Sequence, residues 1–319
     1  MASSTISTAF VKQYGNTLDL LAQTRGGKFT GKCLEESIEG EEKYYDQLGA
    51  VYAAEVIDRY ADSPENDITH ARRRVTATAY DVGLMLDKFD KVQMLVNPES
   101  EYVQQQVTAL MRKKDIEFIK GALGNAQTGK TGSTSTPLGS DQIIAHDFNS
   151  SDSSLTLAKL GEAKSRILEA GIDLDDPLNK LYMVVTPQVI ADMLNNEKFT
   201  SSDYNSIQAL VKGDLNTFYG FEFVVSNLLP AAKSDDSAVL NWTSSDAFDS
   251  TGQQNTDRAC FAYVHSGVRQ VTNPGIQTEI SQRDDKRFNY YAYSCMRTGA
   301  VRMEEKKVVQ INCKEGTAV

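Results

Sequence analysis

The sequence is poor in the side chains that hold metals, form disulfides or run nucleophilic chemistry. Its 319 residues include four cysteines, three histidines and one tryptophan. Cys33, Cys260, Cys295 and Cys313 are widely spaced and form no Cys-x-x-Cys pair. That spacing argues against structural zinc or a disulfide framework, and for reduced thiols in a cytosolic setting. His70, His146 and His265 have no carboxylates at metal or triad spacing, so neither a metal nor a catalytic site is expected. No apolar run approaches the ~18 residues needed to cross a bilayer, and Met1 to Ala9 lacks the basic and apolar regions of a secretory signal. Positive charge is also in deficit. With 33 Lys and Arg against 43 Asp and Glu, the net charge is −10, which excludes an outer surface built to grip nucleic acid. No internal repeat is visible. The 40% of hydrophobic residues still suffices for one large or two ordinary domains.

The longest periodic stretch runs from Asn97 to Gly124. Asn97 suits an N-cap and Pro98 the first helical position, where a missing N–H costs nothing. Glu99 and Glu101 favour the positive end of the helix dipole. Val103, Val107, Leu110 and Met111 follow at helical spacing, and Phe118, Ala122 and Leu123 continue the stripe. Gly124-Asn125 supplies a stop. A helix of this length would be about 40 Å long, a spine on which other elements can pack.

Other segments are expected around it. Ser4 to Gly26 reads as an amphipathic helix carrying Phe10, Val11, Tyr14, Leu18 and Leu21. Acidic residues crowd positions 35–62, and within them Lys43 to Val56 reads as strand. A turn-forming tip covers Arg59 to Asp67. Arg72 to Val82 then alternates, with Arg73, Val75, Ala77 and Ala79 on one face and Arg72, Arg74, Thr76, Thr78 and Tyr80 on the other. Neither face is apolar enough to be buried in a globule. Two weakly hydrophobic strands and a charged tip describe either a surface hairpin or an arm that must lie on something. Leu84 to Leu95 returns to helical spacing, and Gly124 to Ser154 reads as loop. Beyond it come a helix at Leu157 to Ala170, a strand at Leu181 to Val185, a helix at Gln188 to Asn195 capped by Thr186-Pro187, a helix at Ser206 to Val211 and a strand at Phe221 to Val225. The tail from Cys260 to Cys313 reads as strands that pair with one another and with the region of the long helix.

Gly124-Asn125-Ala126-Gln127-Thr128-Gly129-Lys130-Thr131 fits the phosphate-binding pattern G-x-x-x-x-G-K-[ST]. That loop works when a strand feeds it and a helix leaves it, so that helix N–H groups meet the phosphates. Here the order is inverted, and a Gly/Ser/Thr-rich run with Pro137 follows. The match reads as a coincidence. Asp173, Asp175 and Asp176 lack the glycine and closing glutamate of a calcium loop. Tyr290, Tyr291 and Tyr293 read as sheet-face residues rather than a base-stacking platform. Arg72, Arg73 and Arg74 are expected to meet acids of a partner strand or a neighbouring subunit, with Glu35, Glu36, Glu39, Glu41 and Glu42 as counterparts.

The order of several short stretches resembles the major capsid proteins of tailed bacteriophages. They are Ala9-Phe10-Val11-Lys12-Gln13-Tyr14, Asp67-Ile68-Thr69-His70-Ala71-Arg72-Arg73-Arg74-Val75, Pro98-Glu99-Ser100-Glu101-Tyr102-Val103, Thr200-Ser201-Ser202-Asp203-Tyr204-Asn205, Gly220-Phe221-Glu222-Phe223 and Gly299 to Val309. The similarity covers residues 8 to 313, with the stretch 124–148 the part most particular to this chain. The resemblance implies an α+β shell subunit with an N-terminal arm (1–36), an extended β-hairpin loop (37–86), a peripheral domain on the spine helix (87–156 with the returning strands 265–313) and an axial domain (157–264). It implies self-assembly into hexamers and pentamers of an icosahedral head around double-stranded DNA, without sequence-specific binding, cofactor, membrane or enzymatic activity. It further implies a portal and a virion assembled in the host bacterial cytoplasm. The extended loop falls so early that no long scaffolding domain precedes it, so a separate scaffolding protein is expected. Subunit-interface residues on this reading are Glu39, Glu41, Glu42, Arg59, Arg72, Arg73 and Arg74. The competing expectations are an encapsulin-like bacterial compartment shell with the same fold, and a nucleotide-binding protein using Lys130 and Thr131.

Overall fold

The computed structural model describes residues 26–53, 55, 67–86, 99–149, 153–174, 176, 179–194, 217–232, 257–273 and 275–316. In chain order its elements are β1 (Leu34–Glu36), β2 (Glu42–Leu48), β3 (His70–Thr76), β4 (Thr78–Leu86), α1 (Glu99–Leu123), β5 (Ala126–Thr128), β6 (Thr134–Thr136), β7 (Ile143–Ile144), α2 (Leu157–Glu169), β8 (Leu181–Val185), α3 (Pro187–Leu194), β9 (Thr217–Phe218), β10 (Phe221–Val225), β11 (Asp257–Val264), β12 (Val268–Thr272), β13 (Gln277–Arg283), β14 (Asn289–Arg302) and β15 (Val308–Lys314). Expectations for the N-terminal helix, the cap at Asn97 and Pro98, the hairpin tip with Arg59, and the helix at Ser206 to Val211 lie outside the described residues, as does most of Leu84 to Leu95.

The strands form three sheets. A six-stranded sheet has the order β7-β15-β11-β8-β10-β9, a five-stranded one runs β1-β12-β14-β13 with β4 also on β14, and a four-stranded one runs β2-β3-β5-β6. The sequence Leu-Tyr-Met-Val-Val makes β8 a strand buried at every position, as a strand covered on both faces must be. It pairs in parallel with β10 and antiparallel with β11. Thr156 caps α2 by accepting from the Lys159 N–H, and the Thr186 hydroxyl accepts from the Val189 N–H at the start of α3. Lys159 is fully buried, yet its ammonium donates to the carbonyls of His146, Ser153, Ser154 and Asn312 at 2.8 to 3.2 Å. Burying a cation is tolerable only with such a cage, and here the cage ties the stretch before α2 to β15.

The second half of α1 joins this sheet to the five-stranded one. Ile116, Phe118, Ile119, Ala122 and Leu123 belong to the main core with β8, β10, β11 and α2. Phe118 stacks on Phe29 at 4.4 Å between ring centres and meets Tyr263 edge-on at 5.4 Å. On its other side α1 lies on β14. Gln106 donates to the Ala292 carbonyl at 3.0 Å and accepts from the Ser294 hydroxyl at 2.7 Å. Asp115 receives the incoming chain, accepting from the Lys28 N–H at 3.2 Å. Burial pushes its carboxyl up to about 6, against the backbone N–H groups of Lys28, Gly27 and Phe29, which lower it.

Three expectations are corrected. Arg72 to Val82 is not one strand of a hairpin but two strands in different sheets: β3 pairs with β2, and β4 pairs with β14. The switch falls at Ala77, whose N–H donates to the Glu41 carbonyl at 3.0 Å. There the chain crosses Gly299 so closely that a Cβ on the glycine would lie 2.2 Å from the Thr76 carbonyl oxygen. Leu84 to Leu86 end β4 rather than starting a helix. The stretch 124–154 is not all loop, since β5 pairs with β3 and β6, and β7 pairs with β15. These strands have two or three residues each, too few for alternation to register in sequence. The tail strand β15 pairs, as expected, with another tail strand, β11, and also with β7. Val308 to Cys313 are all buried, which only a central position in a covered sheet allows.

The contact of α1 with β14 is tight at one point. A Cβ on Gly121 would fall 2.6 Å from the Ala300 carbonyl carbon. Alanine gains about 1 kcal/mol over glycine in a free helix, but overpacking against backbone costs about 1–3 kcal/mol. Gly121→Ala is therefore expected to lower the thermal midpoint of the subunit in calorimetry; a raised midpoint would refute the close approach.

Candidate functional site

The region singled out from sequence is the root and shaft of the β2–β3 arm. The two strands pair antiparallel, with Glu42 opposite Thr76, Asp46 opposite Arg72 and Leu48 opposite His70. Alternation puts Tyr45 and Val75 on one face, both buried. They belong to a second core with Ile38, Ala77, Ala126, Val271, Val301 and Met303. The expectation that neither face is apolar enough for burial is thus overturned at the root. Arg73 shares this face, and two of its nitrogens are partnered there: Nε donates to the Met303 carbonyl at 3.0 Å and Nη2 to Glu305 at 3.1 Å. An arginine whose head is so partnered can bury its stem.

On the opposite face Arg72 grips Asp46 with Nε at 2.5 Å and Nη2 at 3.2 Å, a two-pronged contact. Arg74 donates to Glu42 at 2.8 Å, and the Tyr44 hydroxyl reaches the other Glu42 oxygen, also at 2.8 Å. All three arginines therefore meet acids of their own subunit. Of the acids expected to face them, only Glu42 does so. Glu39 and Glu41 are exposed, and Glu35 pairs instead with Lys114 of α1 at 2.9 Å. Arg59 lies outside the described residues.

Glu36 is a hub that sequence reasoning placed only in an acidic patch. It accepts from Lys43 at 2.6 Å, Tyr45 at 3.1 Å and Arg269 at 2.7 Å, tying β2 to β1 and β12. Burial alone would raise its carboxyl. The hydrogen bonds from Lys43 and Tyr45 and the charges of Arg269 and Lys43 outweigh that and hold it below the ordinary glutamate value. Burial and the Glu36 charge in turn push the Tyr45 phenol up to about 12. Glu305 and Arg269 also escaped the sequence reading. Glu305 sits in a Glu-Glu-Lys-Lys run that reads as an ordinary solvated turn; its spacing of three from Arg302 was the only local hint.

The phosphate-loop pattern resolves into a hairpin turn. Its residues 126–128 are β5, no helix follows, and Gly129 and Gly132 turn the chain with φ of +90° and +66°. The turn serves the arm: the Lys130 carbonyl accepts from Arg72 at 3.3 Å and the Thr131 carbonyl from Tyr44 at 3.5 Å. Gly132 presses on Arg74, leaving 2.6 Å to its Cβ for any added side chain. Without a helix N-terminus the geometry that receives phosphate is missing. Among the described residues no group of three or more His, Cys, Asp or Glu is placed to hold a metal ion, and no helix is long and apolar enough to cross a membrane.

Farther along the arm the surface changes character. Leu48, Val51, Tyr52 and Ile68 are exposed, Tyr52 to 82% and Leu48 to 69%. Exposed apolar side chains clustered beyond a polar, self-paired shaft are the kind of surface that marks contact with another molecule rather than a pocket for a small one.

A family model described as phage capsid protein matches residues 6–315. The chain belongs to the phage capsid protein family. Its fold is that of solved phage capsid structures. A structure from Mycobacterium phage Che8 is 16% identical with a TM-score of 0.63, covering 95% of this chain and 97% of that one. The capsid structure of cyanophage P-SCSP1u is 16% identical with a TM-score of 0.64, covering 96% and 93%. The capsid asymmetric unit of cyanophage Pam1 is 13% identical with a TM-score of 0.64, covering 99% and 100%. No curated protein matches the chain. This capsid protein is a structural subunit of a phage head shell, a virion component that assembles with copies of itself. The α+β capsid fold read from sequence is the fold observed, and neither the compartment shell nor the nucleotide-binding alternative is favoured.

The capsid protein's arm gives a test of its electrostatics. A carboxyl held below its unfolded value, 4.5 for Glu36, contributes stability above that value and loses it as the pH falls through the folded one. Glu36→Gln should cost about 1 kcal/mol at pH 7 in urea unfolding, with the gap to the parent closing in acid. A gap of constant size from pH 7 to below pH 4 would show that Glu36 is not held ionised by its partners.

Proposed function

We propose that this subunit forms the hexamers and pentamers of an icosahedral head that encloses double-stranded DNA, and that its β2–β3 arm lies across a neighbouring copy. The observation that carries this reading is the contrast along the arm, satisfied charges at the root and bare Leu48, Val51, Tyr52 and Ile68 beyond it. A lone hairpin cannot hold such side chains in water at no cost, and burying them on a second copy offsets it at about 25 cal/mol per Å² of apolar surface. Glu39 and Glu41, exposed beside the arm's root, are the charged interface residues of this reading. Arg72, Arg73, Arg74 and Glu42, paired within the subunit, contribute by stiffening the arm, and Arg59 is a further charged interface residue of this reading.

The domain assignment follows. Residues 1–36 are the N-terminal arm, 37–86 the extended loop, 87–156 with 265–313 the peripheral domain around α1, and 157–264 the axial domain near the capsomer axis, with β15 reaching into the axial sheet. The net charge of −10 suits a shell that confines DNA without sequence-specific contacts. A separately encoded scaffolding protein and a portal direct assembly in the host bacterial cytoplasm, and the subunit performs no enzymatic reaction.

The experiment is to place charge on the arm's apolar end. Leu48→Asp with Tyr52→Asp should leave the subunit's unfolding free energy within about 0.5 kcal/mol, since both sites are exposed. Shell yield in electron microscopy should fall about tenfold or more, the loss expected from removing roughly 1.4 kcal/mol of contact. Normal shells from the doubly charged variant would sink the proposal that this surface is buried between subunits.

A further inference from the structure

The arm, the turn after β14 and the end of α1 meet at one carboxylate. Arg302 is fully buried, and its Nη1 donates to the carbonyls of Ala122 at 2.7 Å and Gly124 at 2.8 Å, closing the last turn of α1. Its Nε donates to Glu305 Oε2 at 2.6 Å. The other Glu305 oxygen accepts from Arg73 Nη2 of β3 at 3.1 Å. Arg73 Nε and Gln47 Nε2 of β2 both donate to the Met303 carbonyl, at 3.0 and 2.8 Å. Both strands of the arm and the end of the long helix are thus fastened to the turn 303–305.

The site is short of acceptors. Two guanidinium groups share one carboxylate, and Arg73 Nη1 and Arg302 Nη2 are both buried without a hydrogen-bond partner among the described residues. A tie serving stability alone would be better made by packed apolar side chains than by this half-satisfied cluster. Each guanidinium holds a different Glu305 oxygen, so a shift of the carboxylate toward one arginine lengthens its contact with the other. A shift of Glu305 toward Arg73 would weaken its hold on Arg302 Nε, and release by the arm would leave the carboxylate to Arg302 alone and steady the guanidinium whose Nη1 caps α1. Coupling of this kind is reciprocal.

We propose that Glu305 is a positioning residue through which the end of α1 and the angle of the β2–β3 arm are coupled, with Arg302 and Arg73 competing for its carboxylate. The use of that angle in shell assembly rests on the function proposed above; the coupling itself does not.

Hydrogen exchange on the unassembled full-length subunit separates the two. Arg73→Met removes the arm's claim on Glu305 and leaves Arg302 with its counter-ion. Exchange in β2 and β3 should then speed up, while the last turn of α1, residues 120–124, slows by about fivefold or more, the lower range for coupled sites. Arg73→Lys keeps the charge but not the fork that reaches Met303 and Glu305 together, so it should move both regions in the same directions by less. It also decides the matter if the methionine variant does not fold. A helix end that is unchanged or faster in exchange overturns the coupling, whatever the shells look like. Loss of shells in the Leu48 and Tyr52 variant with this exchange pattern intact leaves the coupling standing and concerns docking alone.

Discussion

The fold depends on a long helix that is covered on nearly every side in its second half. Such a helix cannot leave polar side chains unanswered, because a buried polar group without a partner is more costly than a lost contact. Gln106, Lys114 and Asp115 are each buried, and each is answered from a different direction. Gln106 bonds to β14, Lys114 to Glu35 beside the arm, and Asp115 to the chain entering at Lys28. These partners fix where three otherwise separate parts of the subunit attach. The apolar side of the same helix, through Phe118, Ile119 and Leu123, fixes the six-stranded sheet. One helix therefore sets the relative places of both cores and the arm's root.

Segments buried on one stripe or on both faces were legible from sequence, because their periods are long enough to count. The long helix, α2, β8 and β10 were all read within a few residues of their observed bounds. The misreadings share a cause, in that the partner was remote. Arg72 to Val82 has the pattern of one strand, and only the crossing over Gly299 divides it between two sheets. Val75 and Tyr45 look too sparsely apolar to be buried, and become so because Met303, Val301 and Val271 arrive from the far end of the chain to cover them. At the candidate site the arginines and Glu42 were legible, and so was an electrostatic role for them. The identity of their partners was not, since Asp46 and Glu305 stand 26 and 232 positions away in the chain and charge alone does not rank acids by distance in space.

The phosphate-loop match shows the same lesson from the other side. A pattern of glycines with lysine and threonine is physically meaningful only if a helix begins there. In this chain the glycines serve a tight turn, and the backbone carbonyls that the turn presents are taken up by Arg72 and Tyr44. The stretch 126–136 thereby adds two short strands beside β3 and thickens the arm at its base.

On the proposed function, the distribution of polarity along the arm matches what its two parts would have to do. Contact with another copy needs area, and area is gained most cheaply from apolar side chains, which bind without fixing an angle. Fixing an angle needs directional contacts, and these are strongest where charge is shielded from water. The arm has the first kind at Leu48, Val51 and Tyr52 and the second at Arg73, Gln47 and Glu36. On that proposal, copies that meet at several different angles would gain from polar, incompletely satisfied contacts beside the second core, since one set of hydrogen bonds can exchange for another while Tyr45 and Val75 stay covered.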